Sequence, residues 1–262
     1  MISDLGGDID PRDAKLLKFV DDSKAMKASS TPHDIQCFQV ALDDLCTWEE
    51  QNNMAFNTTK FQLLRLWANK PIIKGTNIYV EKPTPQGPAK PLVENTTVKD
   101  LGILVNCEAN FNPQRKAAVS KAQMKAAWVL RTFSTRSRHT LIPLWKSVVQ
   151  PHLDYCSQLF SPVDLKGQLK LMEQPLWAFS RRISGCFNLN YWERLQYLQI
   201  SSNHRRSEHY KVLYCWKAIN NLVPNLGMTV TPSSHRGKII AIPYIPGSNT
   251  KYKTLKERSF KL

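Results

Sequence analysis

The first recurrent apolar signal along the chain is short. Lys15-Leu16-Leu17-Lys18-Phe19-Val20 has the composition of a strand, and Asp21-Asp22-Ser23 breaks it. Lys24 to Ala28 reads as the return strand, which puts two carboxylates at a hairpin tip. Residues 1–14, with their Asp and Gly residues and Pro11, read as loop. The rhythm then becomes helical. Thr31-Pro32 pairs an N-cap residue with a proline at the first helical position, and Asp34 follows Thr31 at capping-box spacing. Ile35, Phe38, Leu42 and Leu45 step by three and four, while Asp43, Asp44 and Glu50 fall largely off that stripe. The spacing predicts a helix over 32–52.

Shorter apolar runs follow. Phe61 to Trp67 reads as a strand. Gly75 to Val80 and Leu92 to Val98 read as a hairpin around a loop bearing Pro83, Pro85, Gly87, Pro88 and Pro91. Leu101 to Val105 reads as a further strand, and Gly102 inside it suggests a bulge or a close backbone approach. After residue 110 the texture changes. Asn112-Pro113 is a second cap-and-proline start, and a helix is predicted from there to about residue 134. Ala118, Ala122, Val129 and Phe133 supply one face; Arg115, Lys116, Lys121, Lys125 and Arg131 are placed on the others. Residues 137–160 read as helix with an interruption near Pro151. Helices are also expected over 164–184, 191–198 and 203–221. The last forty residues, rich in Pro, Ser and Lys, read as a loose tail with one apolar patch at Ile239 to Ile245. The expected class is α+β: a mixed piece over 1–110, a basic helical piece over 111–222, and a flexible tail over 223–262, with no internal repeat.

Charge divides the chain in the same place. The 262 residues carry a formal net charge of +15. Residues 1–110 hold 12 basic and 15 acidic side chains, whereas residues 111–262 hold 24 basic and 6 acidic ones. That asymmetry points to a polyanion partner for the second part. Nucleic acid is the first candidate, an anionic membrane surface the second, and a merely solvated basic face the plainest alternative. No apolar run reaches membrane-spanning length, so no membrane span is expected. The acidic N-terminus lacks the apolar core of a secretory signal, and an intracellular protein is expected.

The metal-binding and nucleophilic residue types form no familiar pattern. Cys37, Cys46, Cys107, Cys156, Cys186 and Cys215 are scattered without a C-x-x-C pair, so no structural zinc site is expected and the thiols are expected to stay reduced. The six histidines form no H-E-x-x-H pattern. Trp128, Trp145, Trp177, Trp192 and Trp216 sit among basic residues. Such tryptophans suit base stacking and equally suit helix packing. Adjacent aspartates are common in solvated turns, and Asp43-Asp44 is an ordinary pair on a helix.

The order of several short words gives Asp21-Asp22 a stronger context. Ile2-Ser3-Asp4-Leu5 followed by Leu17-Lys18-Phe19-Val20-Asp21-Asp22-Ser23-Lys24 resembles the catalytic hairpin of reverse transcriptases of non-LTR retrotransposons, in particular jockey-like mobile elements. Trp48, then Met54-Ala55-Phe56-Asn57-Thr58-Thr59-Lys60, is similar to the next palm motif. Val98-Lys99-Asp100-Leu101-Gly102-Ile103-Leu104-Val105 is similar to the primer-grip hairpin. Gln150-Pro151-His152-Leu153-Asp154-Tyr155-Cys156-Ser157, with Ser161-Pro162, looks like the thumb-region signature. Arg181-Arg182-Ile183-Ser184-Gly185 and Tyr191-Trp192-Glu193-Arg194-Leu195 fall where such proteins have similar words. The resemblance covers roughly residues 1–222.

The resemblance implies a partial reverse-transcriptase palm followed by a mainly helical thumb, and RNA-directed DNA synthesis by two-metal catalysis with Mg²⁺. Asp21 would be a direct metal ligand and Asp22 its companion. Lys60 would lie near the phosphates of the incoming nucleotide, and Gly102 would let backbone approach the primer terminus. Arg115, Lys116, Lys121, Lys125, Arg131, Arg181 and Arg182 would track the backbone of an RNA template–DNA primer duplex. No membrane and no stable protein partner is implied. Members of the family carry a further catalytic aspartate on an earlier palm strand. Asp4, Asp8, Asp10 and Asp13 precede Asp21 here but read as loop residues. A two-metal site needs carboxylates from at least two strands, so a truncated, non-polymerising chain is expected. The alternative is a non-enzymatic basic RNA- or DNA-binding protein that reuses the thumb helices.

Overall fold

The computed structural model describes residues 4–7, 9–10, 12–66, 77–80, 91–162, 166–223, 229–232 and 238–241, the last two segments by backbone alone. The described residues mix α-helices with short antiparallel strands, as expected for an α+β chain. The chain divides into two compact units, Met1–Pro113 and Gln114–Leu262.

In the first unit, β1 (Lys15–Phe19) pairs antiparallel with β2 (Asp22–Met26), with Leu16 opposite Ala25 and Phe19 opposite Asp22. The connection is therefore only Val20-Asp21, tighter than the three-residue break expected. Asp22 and Ser23 belong to the second strand. Val20 takes φ 57°, a left-handed conformation that crowds a β-branched side chain. Helix α1 (Pro32–Gln51) starts where its capping box predicts: the Thr31 hydroxyl accepts from the Asp34 N–H, and the Asp34 carboxylate accepts from the Thr31 N–H. Donation from the Ser30 backbone, then from Thr31, lowers the Asp34 carboxyl below its usual range. α1 buries Ile35, Ala41, Leu42 and Cys46. Two small clusters result: Ile9, Ala14 and Ala41 in one, and Ile35, Leu42 and Ile78 in the other, the second with Ala25 of β2 packed against it.

The Phe61-to-Trp67 strand does not form over the described part, residues 61–66. A 3₁₀ turn (Thr58–Lys60) is followed by extended chain with one isolated parallel bridge, Leu63 to Glu94. Trp67 lies outside the described residues. Of the next expected hairpin, Tyr79 bridges Pro91 and the Leu92 N–H donates to the Ile78 carbonyl at 2.7 Å; Gly75 and the proline-rich loop to residue 90 lie outside the described residues. The expected Leu101–Val105 strand is also corrected. β3 (Thr97–Asp100) and β4 (Ile103–Asn106) form a hairpin whose two-residue turn is Leu101 (φ 45°) and Gly102 (φ 86°). Positive φ at both positions is the twist-matched hairpin geometry, so Gly102 closes a turn rather than making a bulge.

The second unit is mainly helical. Its helices are α2 (Asn112–Thr132, which begins at the unit boundary), α3 (Arg138–Leu144), α4 (Pro151–Asp154), α5 (Ser157–Phe160), α6 (Lys166–Ser180), α7 (Tyr191–Leu198) and α8 (Asn203–Ile219). The interruption expected near Pro151 is a π-turn, Trp145–Val149, in which the Gln150 N–H reaches back to the Trp145 carbonyl. A second break falls at Cys156, with φ 54°. Trp145 and Phe179 lie 5.0 Å apart between ring centroids at the centre of the core, with Phe160, Leu141, Leu153, Leu176, Val129 and Val149 fully buried. The expected loose tail carries a short antiparallel hairpin, β5 (Thr229–Pro232) with β6 (Lys238–Ala241). Residues 242–262 lie outside the described residues.

Candidate acidic hairpin and nucleic-acid interface

Asp21 occupies the β1–β2 turn and Asp22 begins β2; both are exposed. Strand alternation puts Leu16, Lys18, Ser23 and Ala25 on one face, the face that meets the α1 cluster through Ala25. Asp22 shares the other face with Leu17, Phe19, Lys24 and Met26. That face is open: Phe19 is 62% exposed and Val20 at the turn 79%. Lys24 is committed, in an ion pair with Asp100 at the end of β3. Lys60 ends the 3₁₀ turn and is exposed. Among the described residues no hydrogen bond or ion pair joins Lys60 or Gly102 to Asp21 or Asp22.

The other acids expected near the hairpin have different partners. Asp4 accepts from the Trp48 indole at 3.3 Å. Asp10 is held at about 2 by side-chain and backbone donation from Arg12. Asp8 lies outside the described residues. No group of three or more His, Cys, Asp or Glu side chains able to hold a metal ion occurs among the described residues. A hard divalent ion takes six or more oxygens, so Asp21 and Asp22 offer it part of a shell.

In the second unit, α2 buries Ala118, Val119, Ala122, Ala126 and Val129 and exposes Lys116, Lys121, Lys125 and Arg131. Arg115 departs from the sequence reading. It is 7% exposed, and its Nε donates to the Phe160 carbonyl at 2.7 Å. Desolvation lowers its pKa. It lies inside the unit, away from the exposed lysines it was grouped with. Lys125 lies 6.0 Å from the Trp128 ring centroid. His152 sits beside this ridge: partial burial, then Lys125 and Lys121, push its imidazole pKa down, so it carries less charge than a free imidazole would.

Arg181 and Arg182 follow α6 and are exposed. Arg181 stacks over Trp177 at 4.9 Å, one helical turn apart. Two further arginines join aromatics that the sequence did not connect. Arg138 stacks over Tyr197 at 5.3 Å, and Arg194 lies 5.8 Å from the Trp177 ring and 5.6 Å from the Tyr191 ring. Of the five tryptophans set among basic residues, Trp145 is core, while Trp128, Trp177, Trp192 and Trp216 are 45% to 68% exposed. Ser201, Arg205, Arg206, His209 and Tyr210 line a recess of about 180 Å³, where Arg206 is already paired with Asp154.

Among the described residues no helix is long and apolar enough to cross a membrane. None of the six cysteines forms a disulfide.

Comparison with known proteins adds one distant relative. An uncharacterized protein of Caenorhabditis elegans is 30% identical over 129 residues, which cover 48% of this chain and 63% of that protein. The chain thus spans less than two thirds of the relative it matches. No family model and no solved structure matches.

Proposed function

We propose that this chain is the part of a non-LTR retrotransposon reverse transcriptase that carries the catalytic hairpin and the thumb, that its helical unit binds nucleic acid, and that the described residues do not by themselves make a polymerase centre. The observation that carries the reading is the hairpin. The resemblance asks for two adjacent aspartates at the tip of a tight antiparallel turn, and Val20-Asp21 is such a turn with Asp22 next to it. The open Leu17–Phe19 face supports the same reading, since a palm sheet would cover it. The Val98-to-Val105 words similarly fall on a β3–β4 hairpin.

The implied Mg²⁺ is not fully provided for. A two-metal centre needs at least one more carboxylate, and no such group joins Asp21 and Asp22 among the described residues. Duplex binding needs only cations placed to neutralise phosphates, and Lys116, Lys121, Lys125 and Arg131 on α2, with Arg181 and Arg182, are exposed for that role.

The test is primer extension on an RNA template in Mg²⁺, with duplex binding measured across a salt series. The expected result is salt-sensitive binding without Asp21-dependent synthesis. Extension that Asp21→Ala abolishes would overturn the incompleteness. Absence of duplex binding at low salt would overturn the nucleic-acid reading. A non-enzymatic nucleic-acid-binding protein is the second reading, favoured by the placement of the basic residues in a compact unit separate from the acidic hairpin. It gains if Asp21→Ala and Asp22→Ala leave every measurable property unchanged.

A further inference from the structure

The aromatic residues around the α6–α7 connection form one connected series. The Arg181 guanidinium lies 4.9 Å from the Trp177 ring, and Arg194 lies 5.8 Å from the same ring. Arg194 is also 5.6 Å from Tyr191, whose ring centroid is 5.2 Å from that of Trp192. The middle of the series is fixed. Arg194 is buried and donates to the Ser180 hydroxyl and the Leu189 carbonyl, both at 3.0 Å. Tyr191 is tied by its hydroxyl to the Glu173 carboxylate. The outer members are open: Trp177 is 45% exposed and Trp192 68%.

Both rings keep part of their surface open, so packing within the unit does not use them fully. The surroundings select the partner. Arg181 and Arg182 are exposed beside Trp177. The acid next to Trp192, Glu193, is engaged as a cap, accepting from the Asn190 N–H at 2.8 Å. Exposed aromatic rings set among arginines suit nucleic-acid bases, which bring flat rings and an anionic backbone together. Bases within a duplex are stacked on each other and cannot reach such rings, whereas unpaired bases can.

Resting on the proposed nucleic-acid reading and deepening it, the geometry points to an unpaired nucleic-acid strand as the occupant of this surface, with a base stacked on Trp192 and phosphates beside Arg181 and Arg182. Fixing Arg194 and Tyr191 beforehand lowers the ordering cost of binding. The mode is sequence-tolerant, because every base presents a ring face.

The test uses the full chain and three labelled oligomers of equal charge: an oligodeoxythymidine strand, its abasic counterpart and a duplex hairpin. Fluorescence anisotropy reads their affinities. The base-bearing strand should bind about tenfold tighter than the abasic one, from the stacking of a base. Trp192→Ala should remove most of that preference, and Trp192→Phe should retain it. Trp192 is exposed, so its replacement leaves the core intact. Equal binding of base-bearing and abasic strands, with salt dependence preserved, would overturn the stacking surface and leave the nucleic-acid reading standing. No binding of any oligomer at low salt would overturn both. If Trp192→Ala weakens adsorption to phosphatidylserine vesicles and leaves strand discrimination untouched, the surface faces lipid and the inference fails.

Discussion

Arg115→Met separates a buried structural cation from the exposed cations on the same helix. The substitution keeps much of the apolar stem and removes the guanidinium that donates to the Phe160 carbonyl at 2.7 Å. Phe160 is fully buried and Arg115 nearly so, so water cannot readily replace the lost donor. A hydrogen bond from a charged donor contributes about 1.5–3 kcal/mol, and an orphaned buried acceptor adds to the loss. Part of this is offset because the charged group no longer has to be desolvated, the same desolvation that lowers its pKa. A net loss of about 2 kcal/mol follows, which for a unit of this size lowers the melting temperature by roughly 4–8 °C. Far-UV circular dichroism of the full chain measures it. The matching control is Lys121→Gln with Lys125→Gln, on exposed positions of the same helix. That pair should leave the melt within about 0.5 kcal/mol of the parent and flatten the salt dependence of duplex binding by about two phosphate contacts. If Arg115→Met melts like the parent and instead flattens the salt dependence, Arg115 faces solvent and the assignment is wrong.

Two further outcomes are expected. Glu173 accepts from the Tyr191 hydroxyl and from the N–H groups of Asn203 at 3.1 Å and His204 at 3.3 Å; burial nevertheless raises its pKa above 4.5, against the pull of these donors. The folded chain then keeps a proton that the unfolded chain has released, so the stability contributed at this site is full below about 4.5 and is lost as the pH rises through the folded value. Glu173→Gln should remove that slope, so urea midpoints of parent minus variant should decline from pH 4.5 toward neutrality, and a rise would refute the assignment. Val20→Asn relieves a β-branched residue at φ 57° without losing buried surface, because Val20 is 79% exposed. Asparagine tolerates this conformation, so amide exchange in β1 and β2 should slow by about fivefold to tenfold, and unchanged exchange would show that the turn stores no strain.

The elements legible in the sequence were those specified by adjacent residues. Helix α1 begins at Pro32 because Thr31 and Asp34 satisfy its first N–H groups, and that information is contained within four positions. The β1–β2 hairpin was legible for the same reason, although its turn was read over Asp21-Asp22-Ser23, whereas Asp22 and Ser23 pair in β2 and Val20 belongs to the turn. The Phe61–Trp67 strand failed because Phe61, Leu63, Leu64 and Leu66 do not alternate, and a strand also needs a partner, which the sequence does not name. The described part finds only the Leu63–Glu94 bridge. At Gly102 the signal was present but weighed differently. Two four-residue runs of equal length flank Leu101-Gly102, which favours a two-residue hairpin over a bulge.

Site residues were less legible because a charge says nothing about which way its side chain turns. Arg115 had a readable signal: it lies three residues before Ala118 and continues the 118, 122, 126, 129 stripe, so helical spacing alone carries it onto the buried face. The tryptophans had no such signal. Trp145, with Lys146 beside it, is core, while Trp177, with Arg181 one turn on, is surface. What separates them is tertiary. Trp145 meets Phe179 from another helix, whereas Trp177 meets Arg194 and remains open. Each aromatic–arginine contact joining α6 to α7 or α3 to α7 spans at least seventeen residues of sequence, beyond the reach of local periodicity. A surface built from such contacts becomes visible only after the helices pack. The Asp21-Asp22 turn is the opposite case: its shape is local and readable, while the additional carboxylate a metal centre needs would have to arrive from another strand.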